Sequence, residues 1–434
     1  MKVVVLGAGI IGVCTAWHLL ERGLEVTLVE RESDAALQTS FANAGQISVN
    51  YCEPWAYPGA PLQLLQWMLR DDAPILFKPQ ADWQQWRWGL KYLGQCNDAA
   101  FARNLGQLVA LGVYSQVALK DVVAATGIAY HRLERGIGHY FTDAQSFDSA
   151  GRDAELLRRH GVERRVVSRD ELLAIEPALR SFGTQIVGGT YSASDESGDA
   201  RLFTQALVRR CAQRGARLLF GRHVQRIDVA GGAVESVAIS SGSGPASASN
   251  DLQLRADAVV VACGAYSAPL LRTVGVDLPI YPGKGYSATF PILRPELAPQ
   301  VSLIDDAMYC AMTRLGDTLR VAGMVELNGY NSALDTPLAR TRCQMLAQRV
   351  ETVFPGVCDT RSAEQGGTPN FWTGLRPVTP TNVPYIGPTR IGKLWVNAGH
   401  GTLGWTHGAG SGKAMAALIS GEAQPITGFR CVGN

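Results

Sequence analysis

Residues 2–30, KVVVLGAGIIGVCTAWHLLERGLEVTLVE, decide how the rest of the chain is read. The apolar run Val3, Val4, Val5, Leu6 predicts a buried parallel strand. It breaks at Gly7-Ala8-Gly9-Ile10-Ile11-Gly12, a G-x-G-x-x-G that opens a helix with Ile11, Ala16, Leu19 and Leu20 at helical spacing. A second apolar strand at 26–29 ends in an acid, Glu30. Each part has a mechanical reason. Gly7 permits a tight turn, Gly9 lets a pyrophosphate approach the backbone, and Gly12 lets helix and strand pack closely. The helix N-terminus offers free N–H groups and a positive dipole end to phosphates. Glu30 can accept hydrogen bonds from both hydroxyls of an adenosine ribose. Glycine-rich chains match such a motif by chance, but strand, turn, helix, strand and acid in this order predict a dinucleotide site.

The 434 residues exceed one ordinary domain, so two domains are expected. With 40 basic against 38 acidic residues and no Lys/Arg run, nothing suggests a nucleic-acid footprint. The nine cysteines form no C-x-x-C and no Cys/His cluster at zinc spacing, which favours reduced, buried thiols and no metal. Residues 3–20 resemble a signal peptide in apolarity, yet cleavage there would remove the glycine motif. No other segment reads as membrane-spanning. The expected location is cytoplasmic, with peripheral contact on the inner face of the cell membrane as an option.

Further along, residues 38–48 (QTSFANAGQIS) offer hydroxyl, amide and small side chains to a polar ligand. Residues 51–145 are rich in Trp and Pro, with helical patterns at 61–70 and 105–126. A Ser-x-x-Glu start at Ser168 precedes a short helix that stops near Pro177, and 199–214 reads as an amphipathic helix. Strand patterns follow at 217–228 and 233–239, then the low-complexity loop 240–250. The segment 256–267 (ADAVVVACGAYS) is another buried strand entering a small-residue turn. Residues 280–365 alternate short strands with one helix at 338–353 and suggest a mostly antiparallel sheet. The C-terminal part repeats the pattern of the N-terminus, with a strand at 394–397, a glycine-rich turn at 399–404 and a helix at 411–420. The fold class is therefore α/β, a Rossmann-like dinucleotide domain with an inserted α+β substrate domain. The expected boundaries are 1–50, 146–278 and 366–434 for the first, and 51–145 and 279–365 for the second. This split disfavours a simple nicotinamide dehydrogenase and favours a flavin domain assembled from separated segments.

Two stretches carry chemistry. In AGHGTLGWTHGAGSG (398–412), the N–H groups of Gly401, Thr402, Leu403 and Gly404 lead into a helix. In a flavoenzyme they would face N1–C2=O of the isoalloxazine, where negative charge gathers on reduction. In Phe371-Trp372-Thr373-Gly374-Leu375-Arg376-Pro377, Arg376 is held between an apolar turn and a proline. Its planar fork matches a carboxylate in a way Lys cannot. A structural Arg bridging two domains is the plainer alternative.

These motifs resemble the D-amino-acid dehydrogenase small-subunit family, within the wider FAD-dependent D-amino-acid and glycine/sarcosine oxidoreductases. The matching stretches are 7–12, TSFANAGQIS (39–48), PWAYPGAP (54–61), Gly198-Asp199, Leu202-Phe203-Thr204-Gln205, PGKGYS (282–287), FWTGLRP (371–377) and GHGTLGW (399–405). The resemblance implies noncovalent FAD and oxidation of a D-amino acid to its imino acid by hydride transfer to flavin N5. It also implies electrons passed to a quinone-type respiratory acceptor. Arg376 would grip the substrate carboxylate. The expected FAD contacts are Gly7, Ala8, Gly9, Ile10, Ile11, Gly12, Glu30, Arg31, Thr39, Ser40, Asn43, Ala44, Gly45, Gln46, Val224, Cys263, Gly264, Gly399, His400, Gly401, Thr402, Leu403 and Gly404. Lys284 is a candidate charge near the flavin, and Tyr286 and Tyr309 are candidate caps of the substrate pocket. His400 and His407 flank the flavin loop, as tuning or as packing residues. Trp83, Trp86 and Trp88, with Trp67 and Met68, form either core or a membrane- or quinone-facing surface.

The chain departs from the family pattern at Ser48-Val49-Asn50-Tyr51, at 194–200, at 379–385 and at His407-Gly408-Ala409. The substrate side has drifted while the flavin motifs remain. The substrate expectation is thus divided between a D-alanine-like range and the cyclic D-proline or cis-4-hydroxy-D-proline. The motifs are equally compatible with an oxygen-reducing oxidase and with a flavin-binding subunit without turnover. No Ser/His/Asp set or carboxylate pair announces a base, so a neutral substrate amine is the expected reactive form.

Overall fold

The structure is a computed structural model and describes residues 1–67, 70, 73–240, 252–426 and 429. Met68 and, beyond Ser240, the low-complexity loop therefore lie outside the described residues. The opening strand Lys2–Leu6 lies inside a six-stranded sheet, parallel to Glu25–Val29 on one side and to Ala258–Val261 on the other. Arg217–Leu219 and Leu394–Ala398 extend the parallel set, and Tyr385–Pro388 closes one edge antiparallel. A strand covered on both faces reads as an unbroken apolar run. Val3 and Val5 pack with the helices Ile10–Glu21, Ala200–Gln213 and Gly404–Ile419. Val4 and Leu6 face a three-stranded meander built from Val224–Ala230, Ala233–Ile239 and Leu252–Leu254.

Close approach explains the glycines of this layer. A Cβ on Gly12 would lie 1.8 Å from the Gly7 carbonyl oxygen, which no side chain can survive. The last helix begins at Gly404, seven residues before the expected start at Ser411. Its Gly408, Gly410 and Gly412 are packing positions rather than turn residues. Cβ atoms there would meet Ile10 at 2.8 Å, Ser115 at 2.6 Å and Cys14 at 2.6 Å. Helix propensity is low for glycine, and the tertiary contact overrides it.

The helix Asp98–Thr126 is long and apolar enough to cross a membrane by length and composition, contrary to the sequence reading. Its Leu111, Ala118, Leu119 and Val122 are buried in the dinucleotide core, and Ser115 Oγ accepts the Gly410 N–H at 2.9 Å. It is a core helix of the first domain, whereas the sequence boundaries place 51–145 in the second.

The second sheet has nine strands, mostly antiparallel. Its path runs Asn370–Val378, Tyr281–Pro291, Thr318–Leu327, Cys310–Leu315, Ser302–Asp305, Ile137–Phe141, Gly188–Ser192 and Arg165–Ser168, with Ile75–Phe77 paired to Thr318–Leu327. Two boundaries move accordingly. Residues 165–168 and 188–192 belong to this sheet rather than to the dinucleotide domain, and so does 370–378. Residues 188–192 and 370–378 pair with 137–141 and 281–291, and 165–168 joins the sheet only through 188–192, so local patterning could not assign them. The Ser168 capping box forms as expected, with Glu171 returning to the Ser168 N–H.

Candidate active site

A cavity of about 830 Å³ is lined by residues of both sheets. At one end lies the glycine motif. Gly7, Gly9, Ile10 and Ile11 line it, with Glu30 and Arg31 at the end of the second strand. The Glu30 carboxylate accepts the Ala8 N–H at 2.7 Å and the Glu32 N–H at 3.0 Å, which holds it at the turn. Ser40 Oγ accepts the Ile10 N–H at 3.1 Å, tying the 39–48 segment to the helix N-terminus. Thr39, Ser40, Asn43, Ala44, Gly45, Gln46, Val224, Cys263 and Gly264 all line the same space. Burial pushes the Cys263 thiol up to about 12, so it is an inert wall.

Gly399, His400, Gly401, Thr402, Leu403 and Gly404 form the middle of the cavity. Two of the four expected anion-facing N–H groups are already used: Gly401 donates to Pro377 O and Leu403 to His400 O, both at 2.9 Å. Thr402 and Gly404 have no such partner among the described hydrogen bonds. Burial, then neighbouring His407, holds the His400 imidazole well below its ordinary range, so it is neutral.

Arg376 lines the same cavity. Its Nη1 donates to Met324 O at 2.6 Å and its Nη2 lies 3.5 Å from Gly323 O. Burial lowers its pKa to about 10, which still leaves it charged at neutral pH. Among the described ion pairs it has no carboxylate partner, and Glu30 is the one acidic residue among the described lining groups. A desolvated cation without a counterion is costly unless a ligand supplies the anion. Around it stand Tyr57, Trp67, Ile75, Tyr92, Tyr286, Tyr309 and Val325. Gln63 accepts a hydrogen bond from the Tyr57 hydroxyl and lies 3.4 Å from the Tyr309 hydroxyl.

Several expected residues are elsewhere. Ala8 and Gly12 do not line the cavity, because Ala8 points its N–H at Glu30 and Gly12 packs under Gly7. Lys284 is buried away from it, donating to Ala333 O at 2.6 Å, with Glu326, Cys343 and Arg342 as its charged and polar neighbours. Tyr286 reaches the wall, but its hydroxyl donates to Glu326 at 2.6 Å. Burial and that carboxylate raise the phenol pKa, so it does not ionise. His407 is buried outside the cavity, and burial lowers it to about 3 against a weaker backbone contact at Leu108. The tryptophans divide: Trp88 is core, Trp67 lines the cavity, and Trp83 and Trp86 are exposed. Sequence reasoning missed Tyr57, Gln63, Met324 and Val325. Only the 54–61 motif held a signal for any of them.

The glycine end fits FAD. A Cβ on Gly264 would meet no protein atom within 4 Å, and on Gly9, Gly401 or Gly404 none closer than 3.4 Å. Backbone is thus laid open to the cavity where a pyrophosphate and a flavin ring would lie against it. The class follows: the FAD dependent oxidoreductase family matches residues 2–418, and the chain belongs to it. The chain is 45% identical over 422 residues to the D-amino acid dehydrogenase of Dechloromonas aromatica, covering 97% of each. To the D-amino acid dehydrogenase of Rhizobium rhizogenes it is 41% identical over 426 residues, covering 98% of this chain and 97% of the other. Its fold is shared with glycine oxidase from Geobacillus kaustophilus (TM-score 0.71, 21% identity, 98% and 96% covered). It is also shared with L-proline dehydrogenase from P. horikoshii (TM-score 0.69, 17% identity, 98% and 95% covered).

Proposed function

We propose that this chain oxidises a D-amino acid to its imino acid, which hydrolyses to the 2-oxo acid, and delivers the electrons to a respiratory acceptor of quinone type. The observation that carries the reading is Arg376, a charged fork with no carboxylate partner among the described residues, in a cavity lined by aromatic and aliphatic side chains. When bound, FAD supplies the two-electron oxidant. The chain supplies the rest. Arg376 binds the substrate carboxylate and fixes the orientation of Cα. Trp67, Ile75, Tyr309 and Val325 give the cavity its apolar wall. With no acid or free base at this end, the substrate amine reacts in its neutral form.

Anaerobic bleaching of the yellow holoprotein tests this reading. D-amino acids should bleach it and their L-enantiomers should not; a protein left yellow by every D-amino acid would remove the activity. Side-chain range is read from the order of D-alanine, D-proline and cis-4-hydroxy-D-proline in the same screen. Dye reduction in air without peroxide supports the dehydrogenase, and stoichiometric peroxide supports an oxidase. The acceptor and a peripheral position on the inner membrane face are supported by Leu62, Leu65, Trp83, Trp86, Leu90 and Leu93. These are exposed on the helices Ala60–Trp67 and Trp83–Leu93, the first of which also lines the cavity through Gln63, Leu64 and Trp67.

A further inference from the structure

Arg376 reaches across Tyr281–Pro291 to a distortion in the strand beyond it. Thr318–Leu327 pairs in step with Tyr281–Pro291 from Thr318 to Gly323, and then the register shifts. Tyr286 faces Gly323, whereas Lys284 faces Glu326, so Met324 and Val325 together oppose the single residue Gly285. This is a β-bulge. Met324 sits at φ +52°, a left-handed conformation that favours glycine, and Tyr309 beside it sits at φ +47°. The Met324 N–H reaches Tyr309 O at 3.4 Å. Non-glycine residues held this way persist only where the surroundings enforce them, and they gather at functional sites.

The bulge presents two successive carbonyls, Gly323 and Met324, to the same guanidinium. Gly285 leaves the room, since a Cβ there would lie 2.4 Å from Arg376 Cζ. The choice of acceptor matters. A carboxylate would orient the fork but would also neutralise it. Carbonyl oxygens orient it and leave its whole charge for an incoming anion.

We propose that Met324 is a positioning residue for substrate: its left-handed backbone, opposite Gly285, aims the Arg376 fork at the substrate carboxylate. The inference rests on the reading of Arg376 as the carboxylate partner. It assigns a purpose to the second glycine of PGKGYS, Gly285, which is to admit the guanidinium rather than to turn the chain.

The test compares the fastest of D-alanine, D-phenylalanine and D-proline with its own carboxamide, using the FAD-loaded enzyme. The readout is the ratio of kcat/KM for acid over amide. Met324→Ile places a β-branched residue where the left-handed conformation is least tolerated, and the ratio should fall at least tenfold. Met324→Gly and Met324→Asn, which accept that conformation, should keep the ratio within threefold of wild type. FAD content should be unchanged in all three. An unchanged ratio in Met324→Ile, or an equal loss in Met324→Gly, overturns the proposal. Should Met324→Ile fail to retain FAD, Gly285→Ala decides: displacing the fork should cost the same tenfold, and an unchanged ratio overturns the proposal. Arg376→Lys separates the two readings, because an intact ratio there removes the carboxylate role itself, whatever Met324 does.

Discussion

At the scale of single residues, two charged side chains of the cavity, Glu30 and Arg376, carry the proposed reading. Glu30 is held at the turn by the Ala8 and Glu32 N–H groups. Glu30→Ala should weaken FAD binding about tenfold or more, the scale of one hydrogen bond to a charged group at about 1.5–3 kcal/mol, and should also lower the melting midpoint of the apoprotein, because the Ala8 and Glu32 N–H groups lose their acceptor. Equal FAD retention through dialysis would contradict the ribose assignment. Arg376→Lys keeps the charge and loses the fork, so kcat/KM should drop by about two orders of magnitude or more, since two bonds of that strength are affected. FAD content should stay as in wild type, and a near-normal enzyme would end the clamp role. Both residues were legible in the sequence because each ends or follows a motif. Lys284 was not. In the sequence it sits one residue from Gly285, yet in the fold it turns to Ala333, and only the sheet decides which face a strand residue takes.

At the scale of elements, the last helix shows how packing outranks local preference. Gly410 has room for no side chain against Ser115. Gly410→Val should destabilise the protein by roughly 1–3 kcal/mol or prevent folding, the range for overpacked cores. Thermal melting checks it, and an unshifted midpoint would mean that the two helices separate at little cost. The same helix buries His407 in its neutral form. Its pKa is about 3 in the folded protein, against an ordinary 6.5. The unfolded chain therefore takes a proton below pH 6.5 that the folded chain refuses, and stability falls as the pH drops through that range. Between pH 7 and pH 5 this one group should cost about 2 kcal/mol. In His407→Met the acid-side loss should shrink by about that amount in denaturant titrations; an unchanged pH slope would show that His407 is protonated in the folded state. The early start of this helix was hidden, because glycines at 408, 410 and 412 read as turn residues until their partners Ile10, Ser115 and Cys14 are in place.

At the scale of the whole molecule, the cavity joins two sheets whose strands come from widely separated segments. Asp199 caps the helix Ala200–Gln213 and also binds Arg320 of the large sheet at 3.2 Å, which locks the two halves together. Among the described residues no carboxylate pairs with Arg376, and on the proposed reading the substrate reacts through its neutral amine. The kcat/KM should rise with pH in proportion to the neutral amine and level off at the amine pKa of the substrate, about 8 or above. A profile already flat from pH 6 would reveal a base acting on the substrate amine, with the neutral His400 of the cavity lining as the first candidate. The linear order of residues was enough to predict the strand–turn–helix at 2–30 and to single out the 39–46 and 399–404 segments and Arg376, all of which line the one cavity. Each is a local pattern whose glycines, apolar runs and caps answer to neighbours a few residues away. The closed fold alone settled that 165–168, 188–192 and 370–378 join the large sheet, that Asp98–Thr126 is a core helix, and that the Met324 bulge faces Arg376. These depend on contacts between distant segments, and such contacts exist only once the chain has closed on itself.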